Sequence, residues 1–131
     1  MLFRSFYTPE ERLYQLYYKL YRDIRVRVDT GIHTGRMTYD EAVTFFSEER
    51  DFLPGKCTDA AARALPAKRA SCEAAERAIY RYSKWPTQAI TYRVGKDLIY
   101  SLREEGTRLQ GKAFSQKAFH MAFIEIGRAH V

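Results

Sequence analysis

A chain of 131 residues is one domain's worth at most, and it is long enough to hide roughly two-thirds of its unfolded surface in a core. The composition, 46% hydrophobic and 29% charged with only 7 Gly and 4 Pro, excludes disorder over most of the length, and no run of about 18 apolar residues is present to cross a membrane. The net charge of +6 favours solubility and weak attraction to polyanions but says nothing of fold.

The opening Met1-Leu2-Phe3-Arg4-Ser5-Phe6 is too short and too broken for a signal peptide. Thr8-Pro9-Glu10-Glu11 then reads as a helix start: a hydroxyl cap, proline at the first helical position and acids against the positive end of the dipole. Leu13, Leu16, Tyr17, Leu20, Ile24 and Val28 recur at helical spacing, and Tyr14, Tyr18, Tyr21, Arg25 and Asp29 form a second stripe. A helix apolar on one face and aromatic-polar on another is expected to be covered on both. Gly31 and Gly35 are expected to end it. Thr38-Tyr39-Asp40-Glu41 is a capping box opening a second helix that carries Ala42, Val43, Phe45 and Phe46.

Residues 51 to 70 are the least regular stretch, broken by Pro54-Gly55 and Pro66, with a short helix expected after Thr58-Asp59. Cys57 and Cys72 lie in or beside it. Two unpaired thiols in a reducing cytosol is the preferred reading; a disulfide, contributing about 3 kcal/mol in the chain-entropy model, is the other. A zinc site is disfavoured, since no histidine or third cysteine lies near either residue. Ser71 is expected to cap the third main helix, with Ala75, Ala78, Ile79 and Tyr82 on one side, and Pro86 to interrupt it. A fourth helix is expected from Thr87 to Glu105 or a little beyond. Ser115 caps a last one, with Ala118, Phe119, Ala122 and Phe123 as its buried face. No alternating strand pattern is present. The fold class expected is all-α, with about five helices.

Residues 126 to 131, Ile-Gly-Arg-Ala-His-Val, are what the codons ATC GGA AGA GCA CAC GTC encode, and those codons match the start of a widely used DNA-sequencing adapter. The domain is therefore expected over residues 1 to 125, with residues 126 to 131 as adapter read-through.

Arg25 and Asp29 stand four apart, so they share a helix face and are expected to pair. His33 is expected in a turn just past the helix end, where a loop can aim an imidazole into a cleft. Gln88, Tyr92, Gly95 and Ile99 are expected on one face of the fourth helix. There Gln88 and Tyr92 would set an amide beside a phenol, and Gly95 would let another helix approach closely. Arg22, Arg25 and Arg27 lie near tyrosines but on different helix faces, a poor stripe for nucleic acid.

The order of Arg25, Val28-Asp29-Thr30-Gly31-Ile32-His33, Tyr82, Trp85-Pro86, Gln88-Ala89, Tyr92 and Gly95 resembles the bacterial domain-of-unknown-function family 885. The resemblance runs from about Thr8 to Phe123 and corresponds to the C-terminal quarter or so of a full member. It implies the C-terminal part of a larger, mostly helical zinc-peptidase-like fold, in which a His-Glu-x-x-His helix and a later glutamate hold the metal. That motif is missing from this chain, whose three histidines are His33, His120 and His130. What the resemblance implies for the residues present is the opposite wall of the cleft. His33 and Tyr92 are the catalytic candidates, as donors to a developing oxyanion. Arg25, Asp29 and Gln88 are candidates to orient substrate or to hold His33. Metal ligands: none. Two departures stand out: Thr87 occupies the place where the family usually has glycine, and the stretch from Asp51 to Arg69 is longer than usual, a surface elaboration away from the site.

The function expected is the cleft-forming C-terminal part of a zinc-dependent peptidase or hydrolase, inactive alone and without cofactor, with zinc implied only for the full-length parent. Its expected partners are the missing N-terminal part of the same domain and, in the parent, a peptide-like substrate; nucleic acid and membrane are not expected. Apolar surface left open on the first and fourth helices is expected to accompany this reading. The alternative is a stand-alone helical protein-binding module without catalysis.

Overall fold

The computed structural model describes residues 7–128, with side chains to residue 126. The described residues fold into helices α1 (Pro9–His33), α2 (Tyr39–Asp51), α3 (Ala60–Ala64), α4 (Pro66–Lys84), α5 (Thr91–Gln110) and α6 (Gln116–Arg128), with a 3-10 turn at Gly111–Ala113 and no strand. The all-helical expectation holds. The chain divides into two compact units, one reaching Arg93 and the other starting at Val94.

In the first unit α1, α2 and α4 pack together, and α3 lies on α4. The expected Thr38 capping box forms, and the expected Thr8 cap proves to be a second one. Thr8 Oγ1 accepts from the Glu11 N–H while Glu11 Oε2 accepts from the Thr8 N–H at 2.8 Å, and Thr38 and Glu41 repeat the exchange. The core is Ile24 and Val28 of α1, Ala42, Val43 and Phe46 of α2, and Cys72, Ala75, Ala78, Ile79 and Tyr82 of α4. Alanines at 75 and 78 keep α4 slim where it meets its neighbours, and Phe46, Ile79 and Tyr82 fill the remaining space. Burying each such large side chain contributes about 1.5–3 kcal/mol.

Several boundaries differ from the sequence expectation. Helix α1 runs through Gly31 to His33, and the left-handed residue that turns the chain is Gly35, at φ 70°. Gly31 serves close approach instead: a Cβ there would meet Met37 at 3.1 Å, and its carbonyl accepts the N–H groups of Arg36 and Met37. Helix α4 starts at Pro66, five residues before Ser71, because proline suits the first helical position without a side-chain cap. Ser71 is buried in mid-helix and bonds across to α2. Helix α5 starts at Thr91 rather than Thr87.

The stretch between α2 and α4 lies mostly on the surface and is tied to the core at Cys57. Cys57 and Cys72 form a disulfide with Cα atoms 5.6 Å apart, which corrects the preference for free thiols; α3 and its loop bring Cys57 onto the buried face of α4. Lys68, only 2% exposed, donates to Ser47 Oγ (2.9 Å) and to the Leu53 carbonyl (2.7 Å). Ser47 bonds Ser71 at 2.7 Å, and Ser71 donates to Asp51 Oδ2; Arg50 holds the same carboxylate, its Nε donating to Oδ1 and its Nη2 to Oδ2. Burial pushes the Lys68 ammonium below its ordinary value, with Glu48 and Asp51 opposing that shift. Burial pushes the Asp51 carboxyl up, but the Arg50 and Ser71 hydrogen bonds and the charges of Arg50 and Lys68 outweigh it and leave the group below the usual carboxylate range.

The first half of α1 is uncovered among the described residues: Leu13 is 69% exposed, and Tyr14, Leu16 and Tyr18 are exposed beside it. In the second unit Ser115 caps α6, its Oγ accepting from the Ala118 N–H. The expected buried face is not buried there. Ala118, Ala122 and Phe123 are exposed and Phe119 is half-buried, lining with Leu102, Gly106 and Phe114 an apolar cleft of about 440 Å³. No residue of α5 is buried. Of the tail assigned to adapter read-through, residues 129–131 lie outside the described residues.

Candidate functional site

The two motif strings meet at the C-terminal ends of α1 and α4. Trp85 ends α4, and residues 86 to 90 turn back across the end of α1, with the buried Ala89 anchoring the turn in the core. Thr87 stands in this turn at φ 69°, a left-handed conformation that costs a β-branched L-residue about 1–2 kcal/mol. Glycine would adopt it freely, so the geometry explains why a glycine is expected at this place. The twist aims the Thr87 N–H at Asp29 Oδ1, 3.1 Å away. Asp29 is 3% exposed, and its Oδ2 is buried with no hydrogen-bond partner.

Arg25 and Asp29 do not form the ion pair that their spacing suggests. The Arg25 guanidinium sits instead among three tyrosine rings, with Cζ 4.9 Å from the centroid of Tyr92, 5.3 Å from Tyr82 and 5.9 Å from Tyr21. Its Nε is buried without a partner. Tyr82 is fully buried, and its hydroxyl bonds that of Tyr21 at 3.4 Å. Burial, then that hydrogen bond, pushes the Tyr21 phenol up to about 12, so Tyr21 stays neutral beside the cation. Asp23 and Arg93 form an ion pair that ties α1 to the first turn of α5.

His33 is the last residue of α1, not part of a loop beyond it. Its Nε2–H donates to the Tyr82 carbonyl at 3.1 Å, which fixes the ring across the end of α4 and leaves Nδ1 as the other polar atom of an exposed imidazole. Neutral His33 has thus committed its one N–H, and only the imidazolium offers a second. Tyr92 is 56% exposed, with no hydrogen bond to its hydroxyl among the described residues. Gln88 is exposed in the turn before α5, so it does not share a helix face with Tyr92; its backbone N–H bonds the Trp85 carbonyl. Nothing lies within 4 Å of a Cβ built on Gly95, so no close helix approach occurs there among the described residues.

Of the five candidates, Arg25 and Tyr92 meet directly, Asp29 meets the Thr87 N–H and His33 meets the Tyr82 carbonyl, while the Gln88 side chain stands apart in the turn. Sequence reading gave no role to Tyr21, Tyr82 or the Thr87 backbone. The tyrosine stripe continuing into Arg25 was the available signal for Tyr21. No pattern along the chain reports which backbone N–H will meet a distant carboxylate. Among the described residues no three His, Cys, Asp or Glu side chains converge as a metal centre requires. The described residues do not fit a zinc ion.

The model of the family described as "Bacterial protein of unknown function (DUF885)" matches residues 3–68 and 58–129. The chain belongs to DUF885. The two matched segments overlap at residues 58–68, inside the stretch that the DUF885 resemblance marks as longer than usual. No curated protein and no solved structure matches the chain.

Proposed function

We propose that this DUF885 chain supplies one wall of the cleft of a peptidase-like hydrolase whose metal-holding part lies in the full-length parent, and that it does no chemistry alone. The observation carrying this reading is the Asp29–Thr87 hydrogen bond, which joins the two motif strings into one polar surface. On that surface Tyr92 presents a free phenol, the group suited to donate to an oxyanion as it develops on a carbonyl. His33, held by the Tyr82 carbonyl, adds a second donor when protonated. Arg25 and Asp29 orient the substrate, and Gln88 borders it from the turn. The zinc implied for the parent has no ligands among these residues, and each of these roles belongs to the chain's own side chains. In a parent-length protein, His33→Ala and Tyr92→Phe are each expected to lower kcat by about 10²–10³-fold at unchanged metal content. Unchanged turnover refutes the assignment.

The uncovered faces of α1, α5 and α6 favour the missing N-terminal part of the domain as their natural cover, but they suit a protein-binding module as well. The DNA upstream of Met1 separates the two readings. An open frame leading back to His-Glu-x-x-His supports the hydrolase, and a promoter with a clean start codon supports the module.

A further inference from the structure

Tyr92 is 56% exposed, and its hydroxyl has no hydrogen bond among the described residues. A tyrosine so exposed on a helix surface moves among its staggered rotamers within nanoseconds. A donor to a developing oxyanion must instead be held to about 0.5 Å, by groups whose own positions are locked. The structure sets one such group against the ring: the Arg25 guanidinium, with Cζ 4.9 Å from the Tyr92 centroid.

Arg25 is itself held by the core. The fully buried Tyr82 and the half-buried Tyr21 bring their ring centroids to 5.3 and 5.9 Å from its Cζ, and its Nε has no access to solvent. Arg50, Arg63, Arg93 and Arg108 each pair with a carboxylate, but Arg25 has no such partner among the described residues. Its charge is left to the ring faces, where exclusion of water strengthens the attraction. Two residues of α1 thus hold two neighbours at the start of α5: Asp23 pairs with Arg93, and Arg25 meets the Tyr92 ring. We infer that Arg25 is a positioning residue for Tyr92, fixing the ring of that donor and acting on the substrate only through it. Tyr82 joins both donors to the core, since its ring lies against the Arg25 guanidinium and its carbonyl holds His33 at 3.1 Å. The catalytic use of the Arg25–Tyr92 contact rests on the hydrolase reading; the contact itself does not.

Two measurements test this role. The first uses the whole 131-residue chain, labelled with 13C and 15N, and follows the Tyr92 side chain by nuclear magnetic resonance. Wild type is expected to show Arg25 side-chain protons close to the Tyr92 ring, and χ1 couplings of a single Tyr92 rotamer. Arg25→Met, similar in length but without the charge, is expected to average those couplings over several rotamers. The Thr87 amide signal should keep its wild-type position there, which shows the fold intact. No Arg25–Tyr92 contact in wild type, or a single rotamer kept in Arg25→Met, overturns the inference.

The second uses the parent-length protein. Arg25→Met is expected to lower kcat by about 10–100-fold with KM changed by less than about twofold, as a misplaced donor requires. In a Tyr92→Phe background no hydroxyl is left to place, so the same substitution should cost less than about threefold more. Losses that multiply across the two substitutions, or a loss confined to KM, would mean that Arg25 touches the substrate itself and overturn the inference. Unchanged turnover in Tyr92→Phe refutes the hydrolase reading instead, and the couplings in the 131-residue chain still decide whether Arg25 holds the ring.

Discussion

Thr87 donates its backbone N–H to Asp29 Oδ1 across 58 positions of sequence, and this one bond sets the turn after α4 against the end of α1. Asp29 is the buried partner, so removing its carboxyl strands the N–H rather than exposing it to water. Asp29→Ala is expected to destabilise the first unit by about 1–3 kcal/mol. Asp29→Asn keeps an acceptor and should cost less than half as much. Urea midpoints give the energies, and amide exchange at Thr87 should accelerate in the alanine variant before the core amides do.

The left-handed backbone at Thr87 makes the opposite prediction for that residue. Thr87→Gly relieves the strain while leaving the N–H in place, and part of the gain is lost to the extra freedom of glycine in the unfolded chain. A net gain of about 0.5–1 kcal/mol is expected in the urea midpoint. A destabilised glycine variant would mean that the side chain, not the backbone, matters there.

The polar cluster between α2 and α4 sets the acid limit of the fold. Asp51 is held below the ordinary carboxylate range by Arg50 and Ser71. Its contribution is therefore complete above the unfolded value near about 4 and fades as pH falls through the lower folded one. Asp51→Asn should cost about 2 kcal/mol at neutral pH, and the difference between wild type and variant should shrink as pH falls below the usual carboxylate range. A constant difference across that range contradicts the linkage.

Both sulfurs of the Cys57–Cys72 bridge are buried, so a mild reductant should leave the native chain oxidised and act only as it unfolds. Thiol titration of the unreduced chain in denaturant should find no free thiol. Cys72→Ser should lower stability by about 3 kcal/mol in the chain-entropy model.

The parts of the fold legible in the sequence are those written in local chemistry. Thr8 and Thr38 announce their helices because a capping hydroxyl and a glutamate three residues on satisfy N–H groups within one turn. Ser71 misleads for the same reason: a serine hydroxyl looks alike whether it caps its own helix or reaches across to Asp51. Phe119 and Phe123 have the spacing of a buried face, but spacing reports which residues share a side and not whether anything lies against it. At the site, helical spacing places Arg25 and Asp29 on one face of α1, yet their failure to pair depends on Tyr82 and Thr87, which arrive from far along the chain. Gln88 and Tyr92 differ from expectation because Pro86 and the left-handed Thr87 delay α5 until Thr91.

The most direct test of the central claim, that the Asp29–Thr87 bond builds a working cleft wall, is the kcat of a parent-length protein carrying Asp29→Ala or Asp29→Asn, with metal content measured alongside. Asp29→Ala should lose about 10–100-fold in kcat, the usual cost of removing a positioning partner, with full metal content, and Asp29→Asn should recover most of it. Wild-type turnover in a folded, fully metallated Asp29→Ala protein would contradict the account.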